Sequence, residues 1–153
     1  MTALTYRIAR ETDAGELARL SDELGYPVDP DLLRERIIRL TQHPDHIVLV
    51  AELISSDAIA GWIHAAEHDI LESGRTCEIL GLVVDSNRRA QGIGRKLVER
   101  VEEWARQRSL NRLSVRSNVL RPEAHPFYEK LGFIRVRTQH AYRRMIDPEA
   151  NNR

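Results

Sequence analysis

The sequence has a single cysteine, Cys77, in 153 residues, so no disulfide can form within the chain and nothing points to an oxidising compartment. No apolar run approaches the roughly 20 residues of a membrane span, and no hydrophobic segment follows a basic start. Formal net charge is zero, with 23 Lys and Arg against 23 Asp and Glu, which argues against nucleic acid as the main partner because phosphate backbones demand a basic surplus. Internal repeats, low-complexity segments and linkers are also lacking. The expectation is a soluble, cytoplasmic protein without a membrane partner. Its 42% hydrophobic content suffices for one domain, residues 1–153, with one sizeable core.

The zero net charge conceals an asymmetry. Residues 1–76 carry 7 Arg and Lys against 14 Asp and Glu, a balance of −7, while residues 77–153 carry 16 against 9, a balance of +7. Either the halves neutralise each other across one fold, or the basic half meets a polyanionic ligand and the acidic half a cationic one. The segment from Ser21 to Glu35 alone holds five carboxylates.

Along the chain, residues 4–10 (LTYRIAR) read as a first strand. Asp13, with Glu16 three residues on, resembles a capping box opening a helix through Leu24, which Gly25 stops. Asp29 before Pro30 is an N-cap ahead of a first-position proline, and Leu33, Ile37 and Leu40 carry a second helix to about Thr41. Apolar runs at 46–54 and 58–68 predict a hairpin. A further apolar segment, EILGLVVD (78–85), leads through the polar turn SNRR into AQGIG. That sequence opens directly into a helix with Ile93, Leu97, Val98, Val101 and Ala105 on one face. Residues 112–117 alternate as a strand, residues near 123–131 form a short helix ended by Gly132, and 133–146 supply one or two terminal strands.

A strand, a glycine-bearing turn and a helix N-terminus together present several unpaired backbone N–H groups at one point, an anion site before any side chain is counted. The common nucleotide motifs do not fit. Leu97 stands where a dinucleotide fingerprint wants a third small residue, and no Gly-Lys-Ser/Thr occurs. Arg89-x-x-Gly92-x-Gly94 instead resembles the Arg/Gln-x-x-Gly-x-Gly/Ala signature of the GNAT superfamily of N-acetyltransferases, which grips the pyrophosphate of acetyl-CoA. About 33 residues downstream, PFYEKLGF resembles that superfamily's second hallmark, an aromatic-Tyr pair closing on Gly-Phe. The element order β-α-α-β-β-β-α-β-α-β resembles the family's too. The resemblance implies an α/β (α+β) fold with a mixed central sheet of six to seven strands and about four helices. Two central strands splay apart to admit the cofactor's pantetheine arm.

By that resemblance the main chain of Leu82, Val83 and Val84 holds the pantetheine and the thioester oxygen. Arg89 and the amides of Ala90, Gln91, Gly92, Ile93, Gly94 and Arg95 wrap the pyrophosphate. Tyr128 matches the tyrosine that protonates the departing thiolate; the alternative is a core aromatic with a satisfied hydroxyl. Glu78, fourteen residues before Gly92, stands where some members place a general base. Partial burial would raise its pKa; the alternative is an edge carboxylate paired with Arg75 or Arg112. Where many members place a cofactor-contacting asparagine, seven residues before the tyrosine, this chain has Arg121, with Asn118 three residues earlier; either fits the role. His64 and His68, at i and i+4 on a predicted strand, stand some 13 Å apart, too far for a shared metal. Trp62, His64 and Glu67 fall where the substrate cleft of such a fold often passes, or belong to a half-buried strand. Cys77 has no visible catalytic dyad.

The reading is an acetyl-CoA-dependent N-acetyltransferase, without a metal, in which a primary amine attacks the thioester directly in a ternary complex. The acidic N-terminal half favours a small cationic acceptor, aminoglycoside- or polyamine-like. A protein or peptide N-acetyltransferase is one rival reading. A non-catalytic acyl-CoA-binding module is another, against which Tyr128 argues. Association into a homodimer is left open.

Overall fold

A computed structural model of the chain describes residues 3–117 and 124–147. The chain divides into two compact units, residues 1–118 and 119–153. The first holds strands β1 (Leu4–Ile8), β2 (His46–Leu53), β3 (Ile59–Ile70), β4 (Gly74–Val84) and β5 (Leu113–Val115), with helices α1 (Ala14–Glu23), α2 (Pro30–Thr41) and α3 (Ile93–Gln107). The second holds α4 (Ala124–Lys130). The sheet runs in the order β1-β2-β3-β4-β5, antiparallel from β1 to β4 and parallel between β4 and β5.

The helices divide between the two faces of the sheet, and β3 shows how. A Cβ built on Gly61 would point at Ile93 and Leu97 of α3. Trp62, the next residue and so on the opposite face, packs with Leu17, Leu20 and Ile37 of α1 and α2 and with Val48, Val50 and Val83. On α3 the buried residues Ile93, Leu97, Val98, Val101 and Ala105 form the stripe predicted from their spacing. The Asp29 cap is present as predicted, its carboxylate accepting the Asp31 N–H at 2.8 Å.

Asp13 has a different role from the predicted cap. No side chain caps α1; the Asp13 carboxylate accepts the Arg10 N–H at 2.7 Å and pairs with Arg7 at 2.8 Å, while Arg7 also bonds Glu52. Burial pushes the Asp13 carboxyl up, but these bonds outweigh it and hold the group below its usual range. Among the described residues the sheet has five strands rather than six to seven, because residues 133–147 form none. The apolar alternation of Ile134 and Val136 is a valid strand signal, but a strand needs a ladder partner, and both side chains are exposed. Among the described residues, no helix is long and apolar enough to cross a membrane.

Candidate active site

The open edge of the sheet begins where β4 and β5 part. Their pairing is confined to Cys77, Glu78 and Ile79 against Leu113, Ser114 and Val115. Past Ile79 the far side of β4 has no strand partner among the described residues. A bulge marks the same point: His64 pairs with Gly81 and Ala65 with Ile79, so Leu80 is the extra residue. Below the bulge, Cys77 sends its N–H to β5, bonding the Arg112 carbonyl at 3.1 Å. Above it, Asp85 sends its N–H to β3, bonding the Ala60 carbonyl at 2.8 Å. Alternation back from Asp85 turns the Val83 peptide toward β3 and leaves the N–H and C=O of Leu82 and Val84 facing the open side. The bulge thus re-aims the strand's polar groups at the gap, and an isolated glycine within a strand run, Gly81, is its sequence signal. Gly81 has a second constraint, since an added Cβ would lie 2.8 Å from the Trp62 indole.

The edge leads straight into the turn. Asp85 caps a short 3-10 turn, Ser86–Arg88, by accepting the Asn87 N–H at 3.0 Å. From α1, Arg19 reaches Asp85 at 3.6 Å, and the Glu23 carboxylate accepts the Ser86 hydroxyl at 3.3 Å. Arg89, Ala90 and Gln91 follow, exposed, with Ala90 at φ 64°. Gly92 is the N-cap of α3 at φ 80°, a left-handed conformation natural to glycine. The first intrahelical bond is Lys96 N–H to the Gly92 carbonyl, so the amides of Ile93, Gly94 and Arg95 have no carbonyl a turn before them, and no side chain caps them. These donors, with the positive end of a 15-residue helix dipole, suit a pyrophosphate.

Glu78 lies at the base of the open edge, its side chain 14% exposed. It is paired, though not with Arg75 or Arg112. Its Oε1 is 3.2 Å from His68 Nε2 and its Oε2 3.2 Å from Arg116 Nε. Arg75 instead bonds Glu67 at 2.8 Å, and Arg108 bonds Glu67 at 2.9 Å and Asp45 at 2.7 Å. These guanidiniums hold the Glu67 carboxyl down at about 2, which makes Glu67 a clamp between β3, β4 and the end of α3.

His64 meets His46, Nε2 to Nδ1 at 2.9 Å, and burial together with His46 lowers its pKa to about 4. No group of three or more potential metal ligands occurs among the described residues. Burial pushes the Cys77 thiol up to about 11, which leaves it a poor nucleophile at neutral pH. The Trp62 Nε1 is buried with no hydrogen-bond partner among the described residues.

Tyr128 belongs to the second unit. Its carbonyl accepts the N–H groups of Leu131 and Phe133, each at 3.1 Å, closing α4, and its ring meets Phe127 and Phe133 edge-on. Burial raises the phenol's pKa, so it keeps its proton more firmly than a free tyrosine. Asn118 and Arg121 lie outside the described residues. The sequence reading missed Asp85 and Arg116, and weighed His68 only as a metal ligand. Asp85 carried a usable signal, an aspartate before a polar turn, whereas the contacts of His68 and Arg116 follow from strand register.

Residues 14–133 match the acetyltransferase (GNAT) family. Over 116 residues, 74% of this chain and 68% of the relative, the sequence is 32% identical to glucosamine 6-phosphate N-acetyltransferase 1 of Oryza sativa subsp. japonica. The fold is similar to that of the aminoglycoside 6'-N-acetyltransferase AAC(6')-Ih from Acinetobacter baumannii, with a TM-score of 0.81 and 18% identity over 95% of this chain and 100% of that one. It is also similar to the aminoglycoside N-acetyltransferase AAC(6')-Iy in complex with CoA, with a TM-score of 0.83 and 16% identity over 94% and 96%. GNAT acetyltransferases use acetyl-CoA. The family match takes in the open edge, the glycine turn and the tyrosine helix, and the chain belongs to the GNAT family as an acyltransferase.

Proposed function

We propose that the protein transfers the acetyl group of acetyl-CoA to a primary amine, by direct attack of the amine on the thioester in a ternary complex, with a small cationic amine as acceptor. The observation that carries this reading is the continuity of two binding elements. The free edge at Leu82 and Val84 runs through the Asp85-capped turn into the bare amides of Ile93, Gly94 and Arg95. An amide-bearing arm that ends in a pyrophosphate meets strand partners and then anion donors in the same order.

In the transfer a C–N bond forms and the C–S bond breaks. A cationic acceptor must lose two protons, one to Glu78 before it attacks and one from the nitrogen of the tetrahedral adduct, and the departing sulfur must gain one, which Tyr128 gives and recovers from that nitrogen. The role of Tyr128 rests on the family motif, and burial keeps its phenol in the protonated form. The acceptor class rests on charge: Asp22, Glu23, Asp29, Asp31 and Glu35 are all exposed within one stretch of 15 residues. The relatives' acceptors, an aminosugar phosphate and aminoglycosides, are primary amines on small molecules.

The test is free-thiol release from acetyl-CoA across an amine panel. Polyamines and aminoglycosides are expected to turn over, with an acceptor KM that rises with salt at saturating acetyl-CoA as exposed charges are screened. A preference for neutral or acidic amines would remove the cationic acceptor, and acetyl-CoA binding without thiol release for any amine would leave a binding module.

A further inference from the structure

Both oxygens of the Glu78 carboxylate are taken, by groups of different kinds. His68 is set by register: Ala66 pairs with Glu78 and His68 with Thr76, so His68 and Glu78 are diagonal neighbours on one face of the sheet. Arg116 comes from the other side. Ser114 pairs with Glu78, and Arg116, two residues on, faces the same way just past Val115, the last residue of β5 paired to β4. Arg116 therefore stands at the fork where the two strands part, one residue past the Ile79–Val115 pair. Its side chain is 84% exposed, against 40% for His68, so its ion pair is the cheaper of the two to break.

A carboxylate that is to receive a proton from an ammonium must present an oxygen to it, and in this arrangement Arg116 covers Oε2 with a cation of its own. We propose that Arg116 occupies, in the free enzyme, the place at Glu78 that the acceptor's ammonium takes, and that it swings into solvent when the acceptor binds. Arg116 is then a specificity-determining residue. An acceptor that arrives as a cation replaces the guanidinium charge for charge, whereas a neutral amine displaces it only by leaving the carboxylate uncompensated. The inference rests on the reading of Glu78 as the residue that receives the acceptor's proton. An exposed pair of this kind holds its partner by a factor of about five at most, which bounds the effect on acceptor affinity.

The experiment is steady-state kinetics on the full chain at low salt, using whichever of spermidine and kanamycin turns over faster. Arg116→Gln is expected to lower acceptor KM about two- to fivefold, with kcat not reduced and acetyl-CoA KM unchanged. Arg116→Lys keeps the wild-type acceptor KM, and high salt erases the difference between Arg116→Gln and wild type. In a Glu78→Gln background, Arg116→Gln adds nothing. An acceptor KM that is unchanged or raised in Arg116→Gln, or that falls equally in the Glu78→Gln background, overturns the inference. Glu78→Gln alone separates the two ideas. If it leaves acceptor kcat/KM unchanged at neutral pH, the reading of Glu78 fails and the inference with it. If it lowers kcat/KM while Arg116→Gln does not lower KM, the inference alone fails.

Discussion

Gly92 allows the cost of a backbone to be separated from the cost of a lost ligand contact. It sits at φ 80°, and a Cβ added there would have no heavy atom within 4 Å. Alanine at this position therefore meets no clash and suffers only the left-handed conformation, about 1–2 kcal/mol. In a domain of this size each 1 kcal/mol moves Tm by roughly 2–4 °C. Gly74, the first residue of β4, provides a matched control, with φ 76° and no atom within 4 Å of an added Cβ. The two alanine variants should lose similar Tm. They should part in acetyl-CoA affinity, because on the proposed binding mode the phosphates approach the amides of Ile93–Arg95 past Gly92. Weakening one hydrogen bond to a charged oxygen removes about 1.5–3 kcal/mol, or about ten- to a hundredfold in Kd. Calorimetric titration with acetyl-CoA reads this directly. If Gly92→Ala binds as tightly as Gly74→Ala at equal Tm, the turn is not the pyrophosphate site.

Three further outcomes test the other assignments. Tyr128→Phe should lower kcat by about 10²–10⁴-fold with acetyl-CoA Kd unchanged, as loss of a general acid does; an equal kcat would make the hydroxyl structural. Asp85→Ala removes the acceptor for the Asn87 N–H and one of three carboxylates paired with Arg19, so acetyl-CoA Kd should rise while saturated kcat holds, and a Kd equal to wild type would show that the turn keeps its form unaided. His64 is held near pKa 4, below the ordinary 6.5, so the unfolded chain protonates first and stability should fall as pH drops from about 6.5 to about 4. Glu67, held at about 2, extends the loss from about 4 downward. Thermal melts of His64→Gln should be shallower than wild type across the upper window, the lowered pKa of His46 keeping part of the slope, and an unchanged wild-type slope there would contradict the assignment.

Much of the first unit was legible because its signals are local. The face of α3 follows from apolar spacing at 3.6 residues, the start of α2 from Asp29-Pro30, and the β2–β3 hairpin from two apolar runs around a polar turn. The glycine turn was legible for the same reason: Gly92 in the left-handed region and Ile93–Arg95 opening a helix are what the motif requires. What stayed hidden depends on pairing between distant residues. That Leu82 and Val84 face the gap while Val83 faces β3 follows from the bulge at Leu80, and that Glu78 meets Arg116 follows from the β4–β5 register. Asp13 was misread because Arg7, six residues back across a turn, competes with the helix end for its carboxylate. Residues 133–146 alternate like a strand, but alternation names a face and cannot supply the neighbour that a strand must bond.

The central claim is that one continuous stretch, the free edge of β4 and the first turn of α3, holds acetyl-CoA by its main chain. Amide NMR of the uniformly labelled protein, titrated with acetyl-CoA, addresses it residue by residue. The account predicts that the largest shifts fall on the N–H groups of Leu82, Val84, Ile93, Gly94 and Arg95, with the Val83 N–H, already turned to β3, moving less. Saturable shifts elsewhere with those five unmoved would contradict it.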